Sequence, residues 1–441
     1  MGRGLERWVF LLSAAFLLFL AAFSYGYSVA KNRRFPHRLI VQASDDLEAV
    51  VDLFRANAHV IHSSRKQGGV TIHNTALTQP GLTFLTAYDG ERFRPFLIDI
   101  EGRVVHRWTT IYSVVFQGKK EFSLLWDSRR FVHGAHLYPD GSILVNLHLG
   151  LAKLDRCSRP IWVLRKDTHH SILPLPDGSF WTLSVDSERK PHRPHMANGR
   201  REETLLHVSA DGRVLEEINV IDAILKGGYH NVLLQGDASR PENELMDPLH
   251  LNDIEVVTNE LAQRVPKSKA GDLLISLQRP GALAIIGRDT RAVVWSLMGP
   301  FLRQHDPDIF DDGTLLVFDN RTEAFQRTPI HWLEEPQAWG YSRILRIDPA
   351  TQQVLWSFEG SKAFPFYTSA QGKSQLLANG DILVTDPEGG RAFEIAPAHG
   401  NEVVWEYVNK LGTGDDGDLG RITQASRFDF DGSQFLNLPC P

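Results

Sequence analysis

IDIEGRVVHRW, residues 98–108, joins two β-rich runs through a short Asp/Gly turn, and the phrase returns five times further along the chain. The later copies are LDRCSRPIWVL (154–164), VSADGRVLEEI (208–218), IGRDTRAVVWSL (286–297), IDPATQQVLWSF (347–358) and IAPAHGNEVVWEY (395–407). A turn rich in Asp, Gly, Pro or Ser between apolar runs is the mark of a β-hairpin. The closing residues Trp108, Trp162, Ile218, Trp295, Trp356 and Trp405 lie 54, 56, 77, 61 and 49 residues apart, the length of a four-stranded blade with its loops. The long third interval holds insertions around Lys226 to Met246 and Asn259 to Ala270. Between the hairpins a second phrase recurs: YPDGSILVNL, LPDGSFWTLS, AGDLLISLQ, DDGTLLVFDN and ANGDILVTD. Two strand pairs alternating with a period near 55 predict an all-β, six-bladed propeller. A solenoid would need a distinct polar repeat at its ends, and none stands out. The recurrent tryptophans read as blade-packing residues rather than as an aromatic platform for substrate.

Outward from the repeats, the N-terminal run Trp8 to Ala30 carries no charge over 23 residues. As a helix it would measure about 35 Å, enough to cross a bilayer. Arg3 and Arg7 precede it, and Ser28-Val29-Ala30 resembles a cleavage site, so residues 1–36 read as a signal anchor or signal peptide, with the uncleaved anchor preferred. Lys31, Arg33 and Arg34 on the far flank pull against export, because basic flanks favour the cytoplasmic side. The expectation remains an exported domain anchored in the membrane by residues 8–30. Residues 37–79 are read as a helical or irregular segment, with an amphipathic helix over 44–65, and residues 80–441 as the propeller. The two cysteines, Cys157 and Cys440, exclude a disulfide framework and a cysteine zinc site. They are either one disulfide tying down the C-terminus or two buried thiols. With 47 basic and 53 acidic residues and no long basic run, no nucleic-acid partner is expected. The absence of a Walker loop, or of GxGxxG in a βαβ setting, predicts no nucleotide cofactor.

The chain has 18 histidines, and several hold one phase in the repeat. His133, His170 and His305 each precede the glycine of the second phrase by eight residues, whereas Gly372 holds that phase before Gly380. His250, in PLHLNDIEVV, is read as the matching residue of the blade with the lengthened loop. Equivalent positions in successive blades share a radial and axial place, so these imidazoles are expected around one mouth of the central channel. A ring of imidazoles suits a metal site with Asp253 or Asp306, or nucleophilic and acid–base chemistry near neutral pH.

The ordered phrases THHSILPLPDG, DPLHLNDIEVV, GDLLISLQRPGALAII and QHDPDIFDDGTLLVFDN resemble the bacterial arylsulfate sulfotransferases over about Pro80 to Tyr407. That resemblance implies a six-bladed propeller, on the periplasmic side of the inner membrane, that moves a sulfuryl group from a phenolic sulfate ester to another phenol without 3′-phosphoadenylyl sulfate. It implies that His305 attacks the donor sulfur and is transiently sulfated, and that His170 and His250 hold the sulfuryl oxygens and assist the phenol oxygen. His169, Asn252, Gln278, Arg321 and His133 complete the expected substrate contacts, and no metal, cofactor or protein partner is implied. The partners are small aryl sulfate donors and phenolic acceptors.

Two departures stand out. The family phrase reads Ile-Ser-Leu-Arg or Ile-Ser-Ser-Arg, but here Leu277 is followed by Gln278, with Arg279 one place later. Arg279 is still counted among the catalytic residues as the cation for the sulfuryl group, but because strands alternate faces it points away unless a bulge at Pro280 re-aims it, and Arg321 is the reserve cation. Ser171 stands where the family commonly has an acidic residue after the histidine pair. The alternatives are a non-catalytic binding or scaffold propeller of the same family, and a metal-dependent propeller hydrolase of lactonase type.

Overall fold

The computed structural model describes residues 2–32, 59–63, 65–110, 115, 132–147, 150–186, 202–238, 248–321, 342–412, 417–430 and 432–440. Two compact units divide the chain, residues 1–58 and residues 59–441. In the first, Gly2–Asn32 is one helix. Its segment Arg7–Val29 is long and apolar enough to cross a membrane, a property shared with signal sequences.

Every hairpin phrase forms the outer half of a blade, and the second unit is a six-bladed propeller. Blade 2 is built from Gly134–Leu137, Ile143–Asn146, Leu151–Leu154 and Pro160–Leu164 in order from the centre. Blade 3 begins with Thr168–Pro174, blade 4 with Leu251–Val256, blade 5 with His305–Ile309 and blade 6 with Lys373–Leu376. Blade 1 is closed by the C-terminal segment, for its innermost strand is Ile422–Phe428, paired antiparallel with Leu82–Tyr88. These six inner strands each neighbour the next around the ring.

Strands of this fold are buried on both faces, so the period-two alternation gives way to apolar runs such as Leu273–Leu277 and Leu315–Asp319. The core is consequently divided into six apolar layers, one at each blade interface. Phe84, Leu97 and Trp108 of blade 1 pack on Leu137, Val145 and Leu154 of blade 2, and Leu205 and Ile218 of blade 3 on Leu251, Ile275 and Ile286 of blade 4. The recurrent tryptophans strap these interfaces, as expected of packing residues. Trp108 Nε1 donates to the Gly141 carbonyl, Trp162 to Ala210 and Trp405 to Ile100, each on the following blade.

The N-terminal boundary differs from the sequence reading. Residues 44–58 of the expected amphipathic helix lie outside the described residues, and its end is not helical: Val60–Ile61 pairs with Leu419–Gly420. Gly69–His73 adds a fifth, outermost strand to blade 6, so the sheets take in residues that precede position 80. The long third interval is filled in part by the helices Val220–Gly227, His230–Ala238 and Asn259–Arg264. Cys157 and Cys440 form a disulfide, and Arg156 also donates to the carbonyls of Leu438 and Pro439, so the C-terminal tail is fastened to blade 2.

Candidate functional site

The register of each inner strand fixes which side chains reach the centre. Its last pair before the hairpin is Leu137↔Ile143, Pro174↔Phe180, Val256↔Leu273, Ile309↔Leu315, Leu376↔Ile382 or Phe428↔Leu82. Four residues before that pair stand His133, His170, Asn252, His305, Gly372 and Gln424. The fixed phase is therefore real, with one correction: Asn252, not His250, is the in-phase residue of blade 4. His250 stands two residues earlier, yet its ring centroid is 5.2 Å from that of His170.

His133, His170, Asn252 and His305 line one cavity together with Asp306 and Lys373. The His170 ring lies 4.8 Å from His133 and 6.4 Å from His305, centroid to centroid. Backbone strain helps to aim these groups. His170, His250 and Asp306 adopt left-handed φ values of 53°, 49° and 49° at or beside bulges in the inner strands, a conformation that costs free energy in any non-glycine residue. Gly134 permits the close approach of blades 2 and 3, since a Cβ there would sit 2.2 Å from the His170 carbonyl oxygen.

The tautomer of His305 follows from its partners. Asn320 donates through Nδ2 to the carbonyls of Thr368 (2.9 Å) and Gln371 (2.8 Å), which fixes the amide with Oδ1 turned the other way. That Oδ1 lies 2.7 Å from His305 Nδ1, and the Arg303 carbonyl lies 3.2 Å from the same nitrogen. Two acceptors face Nδ1, so Nδ1 carries the hydrogen and Nε2 keeps its lone pair. Burial pushes the His305 imidazole down to about 3, against the pull of the Asn320 hydrogen bond, and the ring is neutral at pH 7. His170 is likewise held well below the ordinary histidine range, by burial first and then by His133, His169, His250 and His305. Its backbone N–H donates to His133 Nδ1, which assigns the His133 hydrogen to Nε2. His169 is buried behind His170, with the two Nδ1 atoms 2.7 Å apart and its Nε2 3.8 Å from Glu203 Oε1.

One residue further along each strand, a second layer comprises Ser171, Asp253, Asp306 and Lys373. The Lys373 ammonium donates to Asp306 Oδ1 at 2.9 Å, and Asp306 Oδ2 accepts from the Ser374 N–H at 2.6 Å. Ser171 Oγ donates to Asp253 Oδ1, so a carboxyl does stand beside the histidine pair, supplied from blade 4. Burial, then Asp306, pushes the Asp253 carboxyl up to about 8. Glu255 and Asp308, two residues deeper on their strands, are raised well above the usual range by burial and then by the other carboxyls. Burial works against the charge of Lys373, but Asp306, Asp253 and Asp308 hold its ammonium above the ordinary lysine range.

The expected arginines are not on the cavity wall. Arg279 directs its backbone N–H to the Leu249 carbonyl, and its side chain is not among the groups lining the cavity. Arg321 pairs with Glu359, at 3.3 Å and away from the cavity. Gln278 accepts from Arg303 Nη1 at 3.3 Å, and its backbone N–H donates to the His250 carbonyl. Asn252 donates through Nδ2 to the Gln304 carbonyl at 2.8 Å, while its buried Oδ1 has no donor among the described residues. Sequence reading assigned Asn320, at the end of the strand after His305, no role beyond lining the channel, and did not single out Lys373. Lys373 was within reach of it, as the neighbour of the phase residue Gly372 on an alternating strand; nothing in the sequence marked the Asn320 amide as fixed.

A family model described as arylsulfotransferase (ASST) matches residues 134–410, which include His170, Asn252, His305, Asn320 and Lys373. The chain belongs to the arylsulfotransferase family. No curated protein matches it. Among solved structures it is similar to a protein of unknown function from Bacteroides caccae, at 13% identity over 79% of this chain and 98% of that one, with a TM-score of 0.48. It is also similar to virginiamycin B lyase from Staphylococcus aureus, at 10% identity over 83% of this chain and 98% of that one, with a TM-score of 0.41.

Proposed function

We propose that the protein moves a sulfuryl group from a phenolic sulfate ester to a second phenol through a sulfated His305. The observation that carries this reading is the fixed tautomer of His305: a neutral ring with Nδ1–H held by Asn320 and a lone pair on Nε2. In the first half-reaction Nε2 forms the N–S bond while the S–O bond to the aryl group breaks, its electron pair leaving on the phenolate, which is protonated by water. In the second half-reaction the acceptor phenol attacks the same sulfur and yields its proton to water or to a neutral imidazole beside the site. The electron pair of the N–S bond then returns to Nε2. Splitting one transfer in two is what a nucleophilic residue contributes. We assign assistance to the phenol oxygens to His170 and to His250, whose ring packs 5.2 Å from that of His170, and donation to the sulfuryl group to His133.

The disulfide supports an exported propeller, since such bonds persist in oxidising compartments. We read residues 1–36 as its signal anchor.

The test is incubation of the purified propeller with a chromogenic aryl sulfate, with and without a phenol, followed by intact-mass analysis at mildly alkaline pH. A gain of one SO₃ on His305, discharged by phenol, is expected, along with ping-pong kinetics and no labelling of His305→Ala. Ordinary turnover by His305→Ala would overturn the assignment. A wild-type protein that binds aryl sulfates but never labels would be a binding propeller, the reading that Gln278 in place of arginine favours.

A further inference from the structure

We propose that the Lys373 ammonium is the fixed cation of this site, receiving the sulfuryl oxygens of the donor ester while His305 attacks the sulfur. The inference rests on the transfer reading above and adds a residue to it. A sulfate ester is an anion whose oxygens keep their negative charge through the transfer, and the aryl oxygen gains more as it departs. Preorganised positive charge aimed at such a centre supplies the largest single part of many rate enhancements. The cavity wall offers the imidazoles of His133, His170 and His305, the amides of Asn252 and Gln371, the Thr423 hydroxyl and the Asp306 carboxyl; Lys373 is its one permanently cationic side chain among the described residues.

The surroundings of Lys373 are built to hold an ammonium in place. Lys373 opens the inner strand of blade 6, and His305 opens that of the neighbouring blade 5. Asp306, directly after His305, grips the ammonium through Oδ1 and the blade 6 backbone through Oδ2. The cation is thus tied to the strand that carries the nucleophile. An ammonium has three N–H donors, and the hydrogen bond to Asp306 accounts for one of them. Two remain for oxygens of a bound anion.

Gly372 explains why blade 6 contributes an amine and no imidazole. It has φ 106°, and a Cβ there would lie 2.4 Å from the Phe318 ring, so the phase position must stay bare. The arginines that could compete for the role are engaged elsewhere: Arg303 with Gln278, Arg321 with Glu359, Arg343 with Asp319. The charged and titratable groups facing Lys373 are Asp306 and Asp308 of blade 5, Asp253 and Glu255 of blade 4, and the His305 ring.

The experiment compares wild type, Lys373→Met and Lys373→Arg by rapid-quench labelling with a chromogenic aryl sulfate and by competition with inorganic sulfate. Removing one donor to a developing oxyanion typically costs about 10²–10³-fold in rate. Lys373→Met is expected to label His305 slower by that factor and to lose at least about tenfold in sulfate competition, with most of both restored in Lys373→Arg. Because the methionine strands buried carboxyls, Lys373→Met/Asp306→Asn is measured beside it as the variant with both charges removed; it should be equally slow. Wild-type labelling rates and sulfate competition in either folded methionine variant would overturn the assignment. If wild type competes for sulfate through Lys373 yet never labels, the transfer reading fails and the anion site stands.

Discussion

Replacing Asn320 with Ala tests whether the tautomer of His305 governs the chemistry. The substitution removes the 2.7 Å contact to Nδ1 and the two hydrogen bonds to Thr368 and Gln371. The Arg303 carbonyl remains as a second acceptor at 3.2 Å, so the correct tautomer is weakened but not abolished. A hydrogen bond of this kind is worth about 1–1.5 kcal/mol net, which at 1.4 kcal/mol per factor of ten sets the expected loss in the sulfation rate near tenfold. Complete loss of the tautomer in a comparable triad costs about 10⁴, which bounds the effect from above. Loss of nucleophile through protonation predicts a different signature. The Asn320 bond raises the His305 pKa from an already depressed position, so its removal lowers that pKa further and leaves the ring neutral throughout pH 5–8. The rate deficit of Asn320→Ala should therefore be the same at pH 5 and pH 8. Pre-steady-state release of the chromogenic phenol measures the rate, and long-range ¹⁵N spectra of the histidine rings report the tautomer. A wild-type burst rate in a variant whose His305 has lost its Nδ1 hydrogen would refute the reasoning. Three buried hydrogen bonds are lost at about 1 kcal/mol each, so the variant should be assayed well below its lowered Tm.

Two further outcomes concern stability. The raised carboxyl of Asp253 contributes stability that is present below its unfolded pKa, near 4, and is lost as pH rises toward about 8, whereas the depressed His305 and His170 contribute stability present above about 6.5 and lost as pH falls below it. Between about 4 and 6.5 the two trends oppose each other, so Asp253→Asn should flatten the fall in Tm between pH 6.5 and 8, and an unchanged slope in calorimetric scans would count against the assignment. Reducing the Cys157–Cys440 disulfide opens a ring that spans 283 residues of sequence. The chain-entropy relation puts the upper bound at about 5.6 kcal/mol, and thermal scans with and without reductant should show a Tm lower by several degrees, with equal Tm values refuting the estimate.

The blades were legible because each carries its own punctuation. A turn of Asp, Gly, Pro or Ser recurs between apolar runs, closed by a tryptophan in five copies and by Ile218 in the third, so six copies marked six sheets without any long-range information. The N-terminal strands were not legible. Val60–Ile61 and Gly69–His73 are short edge additions whose partners lie more than 300 residues away, and the local pattern around Leu47 to Val60 favoured a helix. The closure of blade 1 by Ile422–Phe428 had no sequence marker either, since closing a circle is a property of the whole chain.

In the site, phase served better than residue type. Counting eight from the glycine located His133, His170 and His305 on one cavity, but His250 was read as the matching residue of blade 4, where Asn252, expected only as a substrate contact, holds the register. For a cation the sequence offered Arg279, one place beyond the expected position after Leu277, and Arg321 at the end of the strand after His305, whereas the cationic side chain that lines the cavity, Lys373, stands on blade 6 beside the bare phase position at Gly372. Asn320 was hidden for a different reason: its importance lies in two carbonyls, Thr368 and Gln371, from the following blade segment that turn its amide. A hydrogen-bond direction of that sort is decided by three segments meeting in space. The same applies to the carboxyls under the imidazoles. Asp253 and Asp306 stood out in the sequence only as neighbours of histidines that could share a metal, and Asp308 not at all; their convergence on the Lys373 ammonium, with Asp306 paired to it, is a property of two inner strands meeting a third.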